Sequence, residues 1–248
     1  MITKGICHLT LIPIRANPES KSEMVTQLLF GETYQVLESS KDWYFIQNNA
    51  DNYKGWMSKN QFYPLIENDL NANFTLTHFP YSEIKTNNGL VRAIPGSKIH
   101  KQNDGYYFNG SPCHFEIEPT VNNLNIIDFA IQFLNSPYLW GGKSMMGIDC
   151  SGFTSVLFAC YGIQLYRDAS EQAIQGNPVD FINEIKPADL VFFANSEDKI
   201  THVGIAINQD QIIHASGCVR IDSLDSYGIF NAETKTHTHT LKCIRRII

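Results

Sequence analysis

The amino-acid sequence predicts an α+β protein, on three observations. Residues from about 5 to 118 read as short β-type runs parted by turn residues. Helical periodicity begins only after Pro119, and strand-like runs then follow the helices instead of alternating with them. That order suits an antiparallel sheet packed on a few helices, whereas a parallel sheet needs strand and helix in alternation.

In the first half the strand candidates include "YQVLE", "WYFIQ", "GWMSKNQFYPL" and "GYYFNG". Asn, Asp, Gly and Pro cluster between them in "NNADNYKG", "TNNG" and "NDG", and no helical period is sustained. Runs this short at this spacing suggest small barrels rather than one large sheet. Two such units are expected, over residues 1–66 and 67–119, meeting in the polar stretch "IENDLNAN". The stretch "PESKSEMVTQLLFGE" also fits a helix by period alone, so it stays open between strand and helix.

Over residues 120–248 the pattern changes. "NNLNIIDFAIQFLNS" places Leu124, Ile127, Ile131 and Leu134 at helical spacing, with an Asn cap before the helix and Pro137 ending it. "SPYLWGGKSMMGI" is a loop by its Pro and Gly content, "CSGFTSVLFACYGI" a buried helix closed by Gly162, and "SEQAIQG" a shorter helix. The strands that follow are "DLVFFA", "HVGIAIN", "QIIHASGCVRI" and "TLKCIRRII".

Composition removes several classes of function. The formal charge of −6 and the lack of any Lys/Arg block exclude a nucleic-acid surface. No run approaches the ~18 apolar residues needed to cross a bilayer, so no membrane partner is expected. "MITKGICHLTLIPIRANP" is interrupted by Lys4, His8 and Arg15 and lacks the layout of a secretion signal. The six cysteines, Cys7, Cys113, Cys150, Cys160, Cys218 and Cys243, contain no CxxC pair. Together these predict free thiols in a cytoplasmic protein, with no cofactor, no metal and no obligate protein partner.

Two cysteines share the stretch "GIDCSGFTSVLFACYG". Cys150 stands where the loop ends and the helix begins, and there the helix dipole and free N–H groups favour a thiolate. Cys160 lies nearly three turns further in, among Leu157, Phe158 and Ala159, and is expected to be packing. A lone cysteine at such a junction also has a bland role as a small residue; the histidines weigh against it. His202 opens "HVGIAIN" and His214 sits in "QIIHASG", and the short polar connection makes these strands an antiparallel hairpin. With the turn centred near Asn208 and Gln209, the two histidines fall opposite each other on one face. A base held by a second polar ring, facing a thiol at a helix start, is what an activated nucleophile requires.

Taken in order, "YLWGG…GIDCSGFTSVLF…YGIQLYRDASEQ…PADLVFFA…HVGIAI…QIIHASG" resembles the NlpC/P60 family of cell-wall cysteine peptidases, over roughly residues 120–245. The resemblance implies a papain-like catalytic domain at residues 120–248. "RANPESKSEMVTQLLFGETYQVLE", "DWYFIQ" and "NYKGWM" resemble bacterial SH3-type domains, which implies two small SH3-like β-barrels ahead of it. The combination is similar to the YkfC-like branch, which cuts the bond between γ-D-glutamate and an L-diamino acid in murein peptides.

By that resemblance Cys150 would attack the γ-carbonyl, and His202 would activate the thiol and then protonate the leaving amine. His214 would orient His202, and the Cys150 N–H would hold the oxyanion. Asp168, in "YRDAS", would hold the free amine of an N-terminal L-Ala; its alternative is a cap for the helix that follows. Tyr138 and Trp140 would line the substrate cleft, Asp149 and Ser151 would shape it, and Tyr53 would contact substrate from the first barrel. Such a barrel would exclude long glycan-linked chains. The implied partner is a murein peptide already stripped of its sugar, in cell-wall peptide recycling. An amidase or wall-remodelling hydrolase of the same fold, and a non-catalytic murein-binding protein, remain as alternatives.

Three positions depart from the family pattern. Ala188 stands where Gly usually precedes the Asp of "GDL", Tyr166 where Pro is common before the Arg, and Ala169 where a small hydroxyl residue is frequent. Outside the resemblance, "THTHT" puts His237 and His239 on one strand face at a spacing that can bind metal. With no acid or cysteine in matching geometry it reads as a solvated strand. Cys7-His8 and Cys113-His114 read as core.

Overall fold

The computed structural model describes residues 3–66, 74–76, 80–102, 105–117 and 124–248. The chain divides into two compact units, Met1–Asn123 with Ala159–Gln164, and Leu124–Phe158 with Leu165–Ile248.

In the first unit, β1 (Lys4–Ile6), β2 (Leu11–Arg15), β3 (Met24–Leu29), β4 (Thr33–Ser39), β5 (Trp43–Asn48) and β6 (Lys54–Ser58) form one sheet, in the order β1-β4-β5-β6-β2-β3. Alternation along β2 sends Ile12 and Ile14 inward to meet Leu28, Tyr34, Ile46 and Met57. The stretch left open between strand and helix is strand β3, paired Ile12↔Leu28 with β2. Thr26, Gln27, Leu28 and Leu29 are all buried, so both faces of β3 are covered and its apolar residues do not alternate.

A second sheet repeats that order. It contains β7 (Phe74–Leu76), β8 (Ser82–Thr86), β9 (Gly89–Ala93), β10 (Lys98–Gln102), β11 (Gly105–Phe108) and β12 (Ser111–Ile117), arranged β7-β10-β11-β12-β8-β9. Ile84, Ala93, Ile99, Phe108 and Cys113 build its core together with Ile6 and Phe30 of the first sheet, and the Phe30 and Phe108 rings stack 4.5 Å apart. Both sheets are SH3-like. Among the described residues neither closes by a pair between its end strands, so the expected small barrels are open sheets. All of "IENDLNAN" except Ile66 lies outside the described residues.

The second unit opens with α1 (Ile126–Ile131), capped by Asn125, whose side chain accepts the N–H groups of Ile127 and Asp128 at 3.0 Å each. Its buried stripe is Ile126, Ile127, Phe129, Ala130 and Phe133, while Leu124 and Ile131 face outward. Leu124, counted in the helical spacing, precedes the Asn125 cap and lies off the helix, whereas Ile131 is on the helix but on its outer face. The larger area of Phe129 and Phe133, one helical turn apart and edge-on at 5.7 Å, sets the rotation instead.

The hairpin of β13 (Lys143–Ser144) and β14 (Gly147–Ile148) leads into α2 (Cys150–Cys160), and α3 (Ala169–Gln172) follows. The remaining strands are β15 (Asn177–Val179), β16 (Leu190–Ala194), β17 (Ile200–Ala206), β18 (Gln211–Ser216), β19 (Cys218–Leu224), β20 (Gly228–Asn231) and β21 (Thr236–Arg246). They form an antiparallel sheet in the order β15-β21-β16-β17-β18-β19-β20. The long β21 pairs with β20 through Thr236–Thr240 and with β16 through Thr240–Arg245, which closes the sheet into a barrel. Val191, Phe193, Ala206, Ile212, Leu224, Ile229 and Ile244 fill it. Helices followed by an antiparallel sheet give the expected α+β class.

Candidate active site

Cys150 is the first residue of α2, and its setting is built by the residues on either side. Asp149 Oδ1 accepts the N–H of Gly152 at 2.6 Å, a capping bond to the helix start, and Oδ2 accepts the N–H of Gly141 at 2.8 Å. One carboxylate thus ties the "YLWGG" loop to the helix. The guanidinium of Arg167, only 2 % exposed, donates Nη1 to Asp149 Oδ1 (3.1 Å), Nη2 to Asp149 Oδ2 (2.5 Å) and Nη1 to Ser151 Oγ (2.9 Å). Buried Gln172 donates to the carbonyls of Ser151 (3.0 Å) and Tyr166 (2.8 Å) and accepts the Thr154 hydroxyl (2.7 Å). A Cβ on Gly152 would lie 2.1 Å from the carbonyl oxygen of Gly142, so only glycine lets the loop lie this close to the helix. Asp149 and Ser151, expected to shape the cleft, are each 5 % exposed and bonded inside this clamp.

The barrel supplies the histidines. In the β17–β18 ladder Gly204 stands opposite His214, so His202 lies two residues further along rather than directly across. The connection is centred about one residue later than the sequence suggested. Because side chains alternate with a period of two, both histidines still share the inner face, and His202 Nε2 lies 2.8 Å from His214 Nδ1. Gly204 clears the space: a Cβ there would sit 2.6 Å from Ile212 Cδ1 and 2.9 Å from His214 Cβ.

The next link is also diagonal. His214 pairs with Arg220 in the β18–β19 ladder, while its Nε2 lies 3.0 Å from Oδ2 of Asp222, two residues on. Arg220 Nη2 donates to Asp222 Oδ1 at 2.9 Å. Burial acts to raise the Asp222 pKa, but the bonds from His214 and Arg220 outweigh it and hold the carboxyl below its ordinary value.

His239 is a correction. Instead of lying on a solvated strand it stacks on His202, with ring centroids 4.1 Å apart and planes inclined by 30°. Its β20 partner is Ile229, a barrel-core residue, and this register turns it inward. His237 is more exposed and lies 2.8 Å from Asp225. Among the described residues no group of His, Cys, Asp and Glu is arranged to hold a metal ion.

Burial, and then the charge of Asp149, push the Cys150 thiol up to about 11, against the N–H groups of Val203 and Ser151 and the Arg167 charge. The Val203 N–H places the thiol against the middle of β17, one residue along from His202. Burial first, then His214 and His239, hold His202 well below its ordinary value. Both shifts favour the uncharged thiol and imidazole, and so oppose the thiolate that the helix dipole favours. Tyr138, beside the thiol, is pushed up to about 12 by burial and by Cys150 and Asp149. Cys160 is buried and pushed up to about 12, as befits packing.

The remaining candidates are more scattered. Tyr138 is half-buried, and Trp140 of the same loop is 58 % exposed. Asp168 holds the N-cap position of α3, and its carbonyl accepts the N–H groups of Glu171 (3.0 Å) and Gln172 (2.9 Å). Its half-buried carboxylate makes no capping bond. Tyr53 belongs to the other unit, between β5 and β6, where its N–H donates to Asp51 Oδ1 at 3.0 Å. Ala188 adopts φ +74°, in the region that favours the glycine it replaces. Arg167, Gln172, Gly204, Asp222 and His239 are the site residues that sequence reasoning missed.

The NlpC/P60 family model matches residues 135–238, and that of the bacterial dipeptidyl-peptidase Sh3 domain matches residues 14–62. A gamma-D-glutamyl-L-lysine dipeptidyl-peptidase of Bacillus cereus is 27 % identical over 230 residues, covering 78 % of this chain and 68 % of the relative. Its namesake in Bacillus subtilis is 29 % identical over 221 residues, covering 77 % and 71 %. The crystal structure of an NlpC/P60 family protein from Bacillus cereus shares the fold, with a TM-score of 0.79 over 99 % of both chains at 20 % identity. The chain is therefore a peptidase of the cysteine type, with an NlpC/P60 domain preceded by a bacterial SH3 domain.

Proposed function

We propose that this peptidase hydrolyses the γ-D-glutamyl–L-diamino acid bond of murein peptides that carry a free N-terminal L-Ala. The observation that carries the reading is the pair of imidazoles, 2.8 Å apart, of which His202 lies on the strand whose Val203 N–H reaches the Cys150 thiol. His202 Nε2 is engaged by His214, which leaves Nδ1 for the thiol. As Cys150 attacks the γ-carbonyl, Nδ1 takes the thiol proton, and a thioester forms when that proton passes to the leaving amine. Water, activated by the same nitrogen, then releases the L-Ala-γ-D-Glu dipeptide. Attack starts from a neutral pair, so His202 acts as a general base during the step. The N–H of Cys150 at the helix start is the oxyanion donor.

The free-amine requirement rests on Asp168. Arg167 is bonded to Asp149 and Ser151 on both sides of Cys150, so the next residue along is held at a set distance from the thiol. Its carboxylate stands half-buried at the start of α3, and its negative charge suits an ammonium group. The printed names of the Bacillus relatives, dipeptidyl-peptidases acting at γ-D-glutamyl-L-lysine, support the same reading. Six free thiols favour a reducing compartment, and we place the enzyme in cytoplasmic peptide recycling. Incubating L-Ala-γ-D-Glu-L-Lys and its meso-diaminopimelate counterpart with the wild type and with Cys150→Ala tests this. L-Ala-γ-D-Glu is expected from the wild type alone.

A further inference from the structure

We infer that Asp222 is a positioning residue that sets the tautomers of both imidazoles and so decides which nitrogen of His202 receives the thiol proton. The inference rests on the roles given above to Cys150 and His202.

The carboxylate fixes the direction of each hydrogen bond that leads away from it. An ionised carboxylate only accepts, so the atom 3.0 Å from Asp222 Oδ2, His214 Nε2, must carry a proton. A neutral His214 then has its lone pair on Nδ1. That atom lies 2.8 Å from His202 Nε2, which must therefore be the donor. With its proton on Nε2, a neutral His202 presents a bare Nδ1, the only position left to take a proton from Cys150. Asp222 thus acts through two rings on an atom it never touches. When His202 becomes positively charged, its Nε2–H still donates to His214 and His214 still donates to the carboxylate, so the relay needs no rearrangement.

Arg220 keeps the carboxylate ionised and oriented, with Nη2 donating to Oδ1 at 2.9 Å, while Nε, 2.8 Å from Oδ2, makes no hydrogen bond, so only Oδ1 is held by a directed bond. This makes the amide variant specific. In Asp222→Asn the Arg220 Nη2 bond holds the amide oxygen, so the NH2 group turns to His214 Nε2 and makes that atom an acceptor. His214 Nδ1 then carries the proton and donates to His202 Nε2, and the proton of His202 moves to Nδ1, where it blocks the transfer. Removing Arg220 as well frees the amide oxygen to face His214 and restores both tautomers.

The test uses the full chain with 15N-labelled histidine. The wild type is expected to show His202 protonated at Nε2, Asp222→Asn at Nδ1, and Asp222→Asn/Arg220→Ala at Nε2 again. Alkylation of Cys150 by iodoacetamide, resolved from the other thiols by mass spectrometry, should slow in Asp222→Asn and recover in the double variant. On peptide substrate kcat should fall by about 100-fold or more with KM unchanged, and recover likewise. Unchanged tautomers and unchanged kcat in Asp222→Asn would overturn the inference, as would an equal loss in the single and double variants. The spectra and the alkylation rates need no substrate, so an error in the substrate assignment leaves them intact.

Discussion

His214 stands opposite Gly204 in the β17–β18 ladder, yet the ring that reaches it belongs to His202, two residues away. The empty glycine position lets the diagonal contact form. Gly204→Ala would put a methyl group 2.9 Å from His214 Cβ, so we expect a large loss of kcat with a stability cost of only about 1–3 kcal/mol. Steady-state kinetics and thermal melting, measured side by side, check the split.

The Arg167–Asp149 pair is buried at both ends. Replacing Arg167 with Met leaves the Asp149 charge without its partner and should cost about 3–5 kcal/mol in urea unfolding. Adding Asp149→Asn to that background should recover part of the loss, because the stranded charge is then gone.

His202 must be uncharged to accept the thiol proton, and its pKa lies well below 6.5. Its neutral form is therefore retained as pH falls through 6.5, and kcat/KM should hold there and decline only at lower pH. At the basic end the thiol stays protonated up to about 11, so alkylation of Cys150 should not level off between pH 8 and 9, where an ordinary thiol ionises. A pH–rate profile with an acid limb above 6.5 would contradict the neutral pair.

The same burial makes stability depend on pH. His239, lowered to about 4 by burial and by His214, and His202 both bind protons more readily once unfolded. As pH falls below 6.5 the unfolded state gains protons that the folded state refuses, so stability declines through that range and above it is insensitive to these groups. In His239→Gln the decline between pH 6.5 and 4 should be shallower, measured as the shift of the urea midpoint.

Asp168→Ala should raise KM for a free-amine peptide by about 10–100-fold, the worth of a charged hydrogen bond. The rate of Cys150 alkylation should stay unchanged, since the Arg167 clamp is intact. A fall in alkylation would assign Asp168 to the scaffold instead.

The residues legible in the sequence are those whose neighbours announce them. Cys150 sits at a break between loop and helix, and His202 and His214 sit in strands joined by a short turn. Period-two alternation was enough to put both rings on one face, although not to fix which residues are opposite. Asp222 was not legible because "QIIHASGCVRI" reads as one run, whereas the chain turns at Gly217 and lays β19 back on β18; His239 was not, because its register is set against β20. His239 lies among polar residues, in "THTHT", that look solvated until β20 pairs with β21. The outward face of Ile131 was hidden for a different reason: spacing counts apolar positions, whereas packing weighs the area of Phe129 and Phe133.

Comparing L-Ala-γ-D-Glu-meso-diaminopimelate with its N-acylated form, by mass spectrometry of the products and with Cys150→Ala as the blank, decides whether the enzyme is a peptidase that requires a free N-terminal amine. Cleavage of the free-amine peptide alone is the expected result. Equal cleavage of both peptides would contradict it and indicate a wall-remodelling hydrolase.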